Sequence, residues 1–424
     1  MRKTLTAGFA AVVIGCGTIT LAAPSNAAAT SHDVTTSSAA TQASPVAGQI
    51  MVKFRDNGSA AAVLRPHGLT PGPGIGSTGA QLVTVPAGRE AQVLEGLSRN
   101  PAVEYAEQDE PVTATTADEY FPRQYALQNI GQQFSNTAGT LSVAGGTADA
   151  DVDAVEAWGV TTGSGIKVAV LDSGVASDNV DITPKVVARA NFTNGKTGED
   201  NYGHGTHVAG IVAAADNTVG VAGVCPACTI LDGKVLNDSG VGSSSSLANG
   251  INWAVNNGAK VINMSLGVRA SRTLEAAVNN AWSKGVVLVA AAGNGSNQTK
   301  IYPGAYPNVI AVAATDNTDA KASFSTYGAS WVDVAAPGVN VYSTFPNHTF
   351  VLGTQNNRSF GYDVGNGTSM SAPIVAATAA LAWSSHTGAT NTSVRANVEL
   401  TADKISGTGT SWKHGRVNAN NAVR

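Results

Sequence analysis

Lys167-Val168-Ala169-Val170-Leu171-Asp172-Ser173-Gly174 is an apolar strand that stops on a carboxylate and turns at a glycine. A strand apolar at consecutive positions is buried on both faces, the habit of a parallel sheet covered by helices. The same alternation recurs outward from it. Helices are predicted over 208–214, 246–256 and 274–283, and strands over 230–236, 261–265, 286–291 and 309–314. Apolar strands alternating with helices predict a doubly wound, mainly parallel α/β sheet. In such sheets the site lies beyond the carboxyl ends of the strands, so Asp172 is the first candidate for chemistry.

The chain has 424 residues, 43% of them apolar, and a formal net charge of -4. That length holds one large domain plus appendages. The charge argues against a nucleic-acid surface, and Lys and Arg form no basic cluster. At the N-terminus Arg2 and Lys3 precede a mostly apolar stretch, Leu5 to Ala23, and Ser25-Asn26-Ala27 reads as a small-residue cleavage site. This is the pattern of a secretory signal peptide over 1–29. Val13-Ile14-Gly15-Cys16 is similar to a bacterial lipobox, but the apolar run continues past Cys16 and fits that motif poorly. The remaining chain offers no stretch long enough to span a bilayer, so no stable membrane association is expected. Once the signal is removed only Cys225 and Cys228 remain, in Cys225-Pro226-Ala227-Cys228. No second pair is present for zinc, and a small closed loop suits an exported chain; the spacing leaves open whether the bond forms.

Residues 30–45 are rich in Ser, Thr and Ala and read as a linker. Then comes a β-α-β-α-β pattern: strands at 49–54, 81–85 and 102–107, helices at 59–64 and 90–97. A unit of this size is marginal by itself. Glu107, Asp109 and Glu110 near its end read as a solvated acidic run.

Three further stretches carry chemistry. His204 opens a helix in Gly203-His204-Gly205-Thr206-His207-Val208-Ala209-Gly210. Ser369 lies in Asn366-Gly367-Thr368-Ser369-Met370-Ser371-Ala372-Pro373, a turn feeding an apolar helix from Ala372 to Trp383. Ala291-Ala292-Gly293-Asn294-Gly295 ends an apolar strand. Each has an ordinary explanation: Asp beside Gly forms turns, Ser caps helices, and a single His is more often structural. His204 and His207 lack the Glu of a zinc-binding H-E-x-x-H helix. Together they supply an orienting carboxylate, a base and a nucleophile at strand and helix ends. A serine hydroxyl needs such a base, and the base needs a carboxylate to fix its tautomer.

The order Asp, His, Ser, with D-S-G, H-G-T-H-V-A-G and G-T-S-M-S-A-P, resembles the subtilisin family of serine proteases, from about Asp118 to Arg424. The segments 118–125 and 401–410 resemble its thermitase branch, and residues 46–112 resemble the family's ferredoxin-like propeptide, an inhibitor and folding aid. The resemblance implies a catalytic domain over 113–424. Asp172 would orient the imidazole, His204 act as base and acid, Ser369 as nucleophile, and Asn294 as oxyanion donor. Polypeptide substrate would lie extended between Ser265-Leu266-Gly267 and Gly240-Val241-Gly242. Ile301 would stand near the floor of the pocket for the side chain before the scissile bond, making it shallow and suited to small or medium apolar residues. The Tyr302–Pro303 bond would be cis.

The resemblance also implies structural calcium, held by Asp181, Asn217 and the carbonyls of Ala215, Val219 and Val221, with Asp118 as a further ligand; oxygen-only ligands suit that ion. Self-cleavage of the propeptide is expected near Val112 to Thr116, its tail having crossed the cleft. The stretches 130–153 and 346–364 depart from shorter family members. The whole reads as a secreted, monomeric serine endopeptidase. A catalytically dead protease fold used for binding is the alternative, against which the full residue set argues. An esterase of the α/β-hydrolase class would need G-x-S-x-G and the order Ser, acid, His, neither of which is present.

Overall fold

The computed structural model describes residues 48–109 and 118–424. The signal segment with Cys16, the linker and the expected cut at Val112 to Thr116 lie outside the described residues. Contacts divide the chain into two compact units that meet in sequence at Pro111 and Val112.

In the N-terminal unit, strands Gln49–Phe54, Ala80–Thr84 and Val103–Gln108 form an antiparallel sheet with the first in the middle. Helices Ala60–Leu64 and Glu90–Ser98 join them. Ile50, Val52 and Phe54 alternate with half-buried neighbours, so one face of the central strand enters a core with Val63, Leu64, Val93 and Leu97. That period of two is the signature of a sheet covered on one side.

The larger unit is built on seven strands: β1 Lys167–Asp172, β2 Val186–Asn191, β3 Thr229–Lys234, β4 Val261–Met264, β5 Val287–Ala291, β6 Ile310–Thr315 and β7 Val334–Pro337. Their order is β7-β6-β5-β4-β1-β3-β2 and every pairing is parallel. The main helices are α1 His204–Ala213, α2 Ser244–Asn256, α3 Arg272–Ser283, α4 Thr368–Ser385 and α5 Asn391–Leu400. Val168 and Val170 pack with α1 and α4, while Ala169 and Leu171 pack with α2 and α3. Successive side chains point to opposite faces and both faces are covered, which is why β1 is apolar throughout. The chain passes from β3, on one side of β1, to β4 on the other, so the strand order reverses at β1 and opens a crevice at its carboxyl end.

α4 is longer than the predicted helix: it begins at Thr368 and its buried residues include Met370 to Leu381 on all sides. A helix apolar all round must run through the core. β2 was not predicted. Its half-buried and exposed residues alternate, and as an edge strand it carries Arg189 and Asn191. Among the described residues no helix is long and apolar enough to cross a membrane.

Candidate active site

Asp172 is the last residue of β1, His204 the first of α1, and Ser369 the second of α4. The fold brings the first two into contact: Asp172 Oδ1 lies 2.7 Å from His204 Nδ1. Gly205 makes that approach possible, because a Cβ there would strike the Gly174 carbonyl and lie 3.1 Å from the Asp172 Cβ. Asp172 is fully buried and its Oδ2 has no protein partner among the described residues. Burial pulls the His204 pKa down, but the Asp172 charge and hydrogen bond, with the charge of Asp200, outweigh it and leave the pKa raised. With Nδ1 turned to the carboxylate, the other ring nitrogen is the one available for proton transfer.

Ser369 is half-buried in the first turn of α4, after Gly367 with φ at +141°. Its Oγ donates to the Ser265 carbonyl at 3.2 Å, a bond not foreseen from sequence, where a bond to His204 was expected. Catalytic bonds are commonly loose without substrate and tighten in the complex. Ser265 Oγ donates to the Ser369 carbonyl at 2.8 Å and accepts from Asn263 Nδ2 at 3.0 Å. These bonds tie the end of β4 to the start of α4.

Asn294 has its amide oriented by Thr368. Its Oδ1 accepts from Thr368 N and Thr368 Oγ1, each at 3.0 Å, and Thr368 Oγ1 accepts from Gly293 N at 3.0 Å. An N–H donor on the oxygen settles which end of the amide is which, so Nδ2 is the end left over.

The two strips expected to bind substrate differ in how their backbone is bonded. Val241 has both backbone groups taken by Asn237: its N–H by Oδ1 at 3.1 Å and its carbonyl by the N–H at 2.9 Å. Gly240, with φ at +72°, lies against the Tyr202 ring. On the other strip, the N–H groups of Leu266 and Gly267 take no hydrogen bond among the described residues. Val268 pairs with Tyr302, and the Tyr302–Pro303 bond is cis. Ile301 stands between Gly267 and Gly293: a Cβ on Gly267 would be 2.6 Å from its Cγ2, and one on Gly293 3.1 Å from its Cγ1.

Of the residues expected to hold calcium, Asp118, Asp181 and Asn217 lie together. Asp118 Oδ1 accepts from Asn217 N at 2.9 Å and Thr218 N at 2.7 Å, while its Oδ2 is buried without a partner among the described residues. Asp181 is fully buried and accepts from Val221 N at 2.9 Å and Asn217 Nδ2 at 3.3 Å. Burial pushes Asp181 up to about 7; the Asp118 charge adds to this and the Val221 N–H opposes it. Among the described residues no group of three or more His, Cys, Asp or Glu side chains is placed to hold a metal. A cation here would therefore rely on backbone carbonyl oxygens around two carboxylates, since Asn217 turns Nδ2 to Asp181 and its Oδ1 accepts from Val219 N at 2.9 Å. The orphaned Asp118 oxygen and the unbalanced buried charge fit a hard cation. Away from this loop, Cys225 and Cys228 are joined in a disulfide.

The stretches 346–364 and 130–153 both dock on the larger unit, the first of them beside His204. In 346–364, Phe350 fills the space beside Gly203, and Val351 N and Leu352 N donate to the carbonyls of Asn201 and Tyr202 at 2.9 and 3.1 Å. In 130–153, Asn136 and Thr137 bond to Asp363 and to the Tyr362 carbonyl, where the Tyr362 ring covers Gly220. Neither docking has a sequence signal. Thr368 stood within the Ser369 stretch, but only the fold shows what it holds.

A buried carboxylate on an imidazole, a serine at a helix start and an oriented amide are the parts of a serine hydrolase. Comparison with known proteins makes the class specific. The family model described as the Subtilase family matches residues 163–418, and that of the Fervidolysin N-terminal prodomain matches 31–109. Thermitase from Thermoactinomyces vulgaris is 49% identical over 276 residues, 64% of this chain and 94% of its own. The thermophilic serine proteinase of Bacillus sp. (strain AK1) is 40% identical over 388 residues, 89% of this chain and 88% of its own. A solved structure described as proteases from Pseudoalteromonas arctica PAMC 21717 aligns with a TM-score of 0.62 at 29% identity, covering 73% of this chain and 99% of that one. The chain belongs to the subtilase family and is a serine endopeptidase with an N-terminal prodomain.

Proposed function

We propose that peptide bonds are cut by Ser369, with His204 as base and then acid, Asp172 orienting the imidazole, and Asn294 Nδ2 with the Ser369 N–H receiving the oxyanion. The observation that carries this reading is the 2.7 Å contact between Asp172 and His204 at the carboxyl end of β1, with Ser369 opening α4. His204 Nε2 takes the Ser369 Oγ proton as Oγ attacks the carbonyl carbon. The imidazolium then protonates the leaving amine, and water repeats the cycle on the acyl-enzyme. Ser369→Ala is the test: it should abolish cleavage of ester and peptide substrates together, and a variant that still cuts peptides would overturn the assignment.

The protein is read as made with a signal peptide over 1–29 and a linker over 30–45. It is then exported as a monomer, and freed of its 46–112 propeptide by its own 113–424 catalytic domain near Val112 to Thr116. Arg2, Lys3 and the apolar stretch after them support export.

Substrate would pair with the free Leu266 and Gly267 N–H groups and, on the other side, with Gly240 and Gly242, which flank the Val241 already bonded to Asn237. Ile301 between Gly267 and Gly293 would make the pocket shallow. Ile301→Gly should raise the preference for Phe and Tyr over Ala and Leu by about tenfold or more, since each added group in an apolar pocket is worth roughly that factor. A peptide library read as kcat/KM ratios checks it, and an unchanged ratio would remove Ile301 from the pocket.

Asp181, Asn217, Ala215, Val219 and Val221, with Asp118, would hold calcium, which supplies charge balance and rigidity and takes no part in the chemistry. Chelation of covalently inhibited enzyme should lower Tm on the order of 10 °C, corresponding to ~4 kcal/mol at a thousandfold excess over Kd. A Tm indifferent to chelator would rule the site out.

A further inference from the structure

Asp200 lies four residues ahead of His204 and is fully buried. Its Oδ1 accepts from Ser173 Oγ and from Gly203 N, both at 2.8 Å. Its Oδ2 accepts from Thr206 N at 2.9 Å and Thr206 Oγ1 at 2.6 Å. Ser173 follows Asp172 directly, and Gly203 and Thr206 flank His204. Two further bonds extend the brace: Gly205 N donates to Ser173 Oγ at 2.9 Å, and Ala176 N to Thr206 Oγ1 at 2.9 Å. One side chain thus fastens the end of β1 to the first turn of α1.

Both oxygens receive backbone N–H groups, which cannot accept, so this donor set favours the ionised form. The N-terminus of α1 favours it too. Burial works the other way and leaves the Asp200 pKa raised, with the Thr206, Gly203 and Ser173 donors opposing it, so the charge depends on being bonded on every side. Here the bonds all lead to the residues that place Asp172 and His204.

We propose that Asp200 is a positioning residue for peptide hydrolysis: it holds Asp172 and His204 in register and adds a second negative charge that favours the imidazolium. The inference rests on the assignment of Asp172, His204 and Ser369 given above. The other groups facing His204 do not supply this charge. Tyr202 has its ring 6.5 Å away and its phenol kept neutral, mainly by burial. His207 is pushed down to about 3, first by burial and then by His204 itself. Lys234 is held by the Ser173 carbonyl and Asp238.

Asp200→Asn removes the charge and offers one oxygen to four donors. The sign follows: with less negative charge the imidazolium is less favoured, so His204 titrates lower. The acid limb of the kcat/KM profile should move to lower pH by about half a unit or more. kcat should fall about ten- to hundredfold from loosened geometry, with KM changed only severalfold. Ser173→Ala keeps the charge and loses one bond, so it should lower kcat severalfold and leave the acid limb in place. A purely structural Asp200 would lower Tm without moving that limb.

His204→Ala tests the underlying assignment separately: retained activity there overturns both readings. Loss of activity in His204→Ala, with kcat and acid limb unchanged in Asp200→Asn, overturns this inference alone. If Asp200→Asn yields no mature enzyme, Ser173→Ala decides. A severalfold fall in kcat at constant KM supports the brace, and wild-type kcat overturns it.

Discussion

Ser369→Ala is expected to lower kcat by about six orders of magnitude and to leave the propeptide attached. The magnitude is that measured in subtilisin, a member of the same family, and is not obtained from the present distances. The substitution removes a single oxygen. The Cβ stays, the apolar body of α4 from Met370 onward is untouched, and the lost bond is the 3.2 Å contact to the Ser265 carbonyl. A folded but inert protein should result. Mass and N-terminal sequence read it directly: the wild type should begin between Val112 and Asp118, the variant upstream of the propeptide. Wild-type enzyme added to the variant should then release the propeptide, showing that its cut site is competent. If the variant matures by itself at the wild-type rate, Ser369 is not the nucleophile that processes the chain.

Legibility in the sequence followed how local the cause was. β1 is apolar at consecutive positions because both faces are covered, so its residues alone declare a parallel sheet. Asp172, His204 and Ser369 were legible because each marks the end of an element and stands in a distinctive run of small residues. β2 was not, because an edge strand half open to water alternates and carries Arg189 and Asn191 like a loop. What lay furthest from view were bonds between distant segments. Nothing near Asn294 announces that Thr368, 74 positions on, holds its amide. Nothing near Phe350 announces that it fills the space beside Gly203. Asp200 carries a local signal of its own: a carboxylate just ahead of a helix start, where the first N–H groups need partners.

Asn294→Ala should lower kcat about 10²- to 10³-fold with KM nearly constant, because a donor aimed at developing charge acts on the transition state and not on bound substrate. That range also comes from subtilisin in the same family. The geometry adds a graded series. Asn294 Oδ1 is anchored by Thr368 N and Thr368 Oγ1, so Nδ2 is presented without having to reorganise during the reaction. Thr368→Val deletes one anchor and leaves the amide in place, so it should cost less, about tenfold, again in kcat. Asn294→Asp removes the donor and puts a carboxylate oxygen where negative charge develops, so it should lose at least as much as alanine. The order Thr368→Val, Asn294→Ala, Asn294→Asp is what preorganised donation requires. If Thr368→Val equals wild type while Asn294→Ala is impaired, the amide needs no anchoring. If Asn294→Ala itself stays within twofold of wild type, the oxyanion is held by the Ser369 N–H and the start of α4 alone.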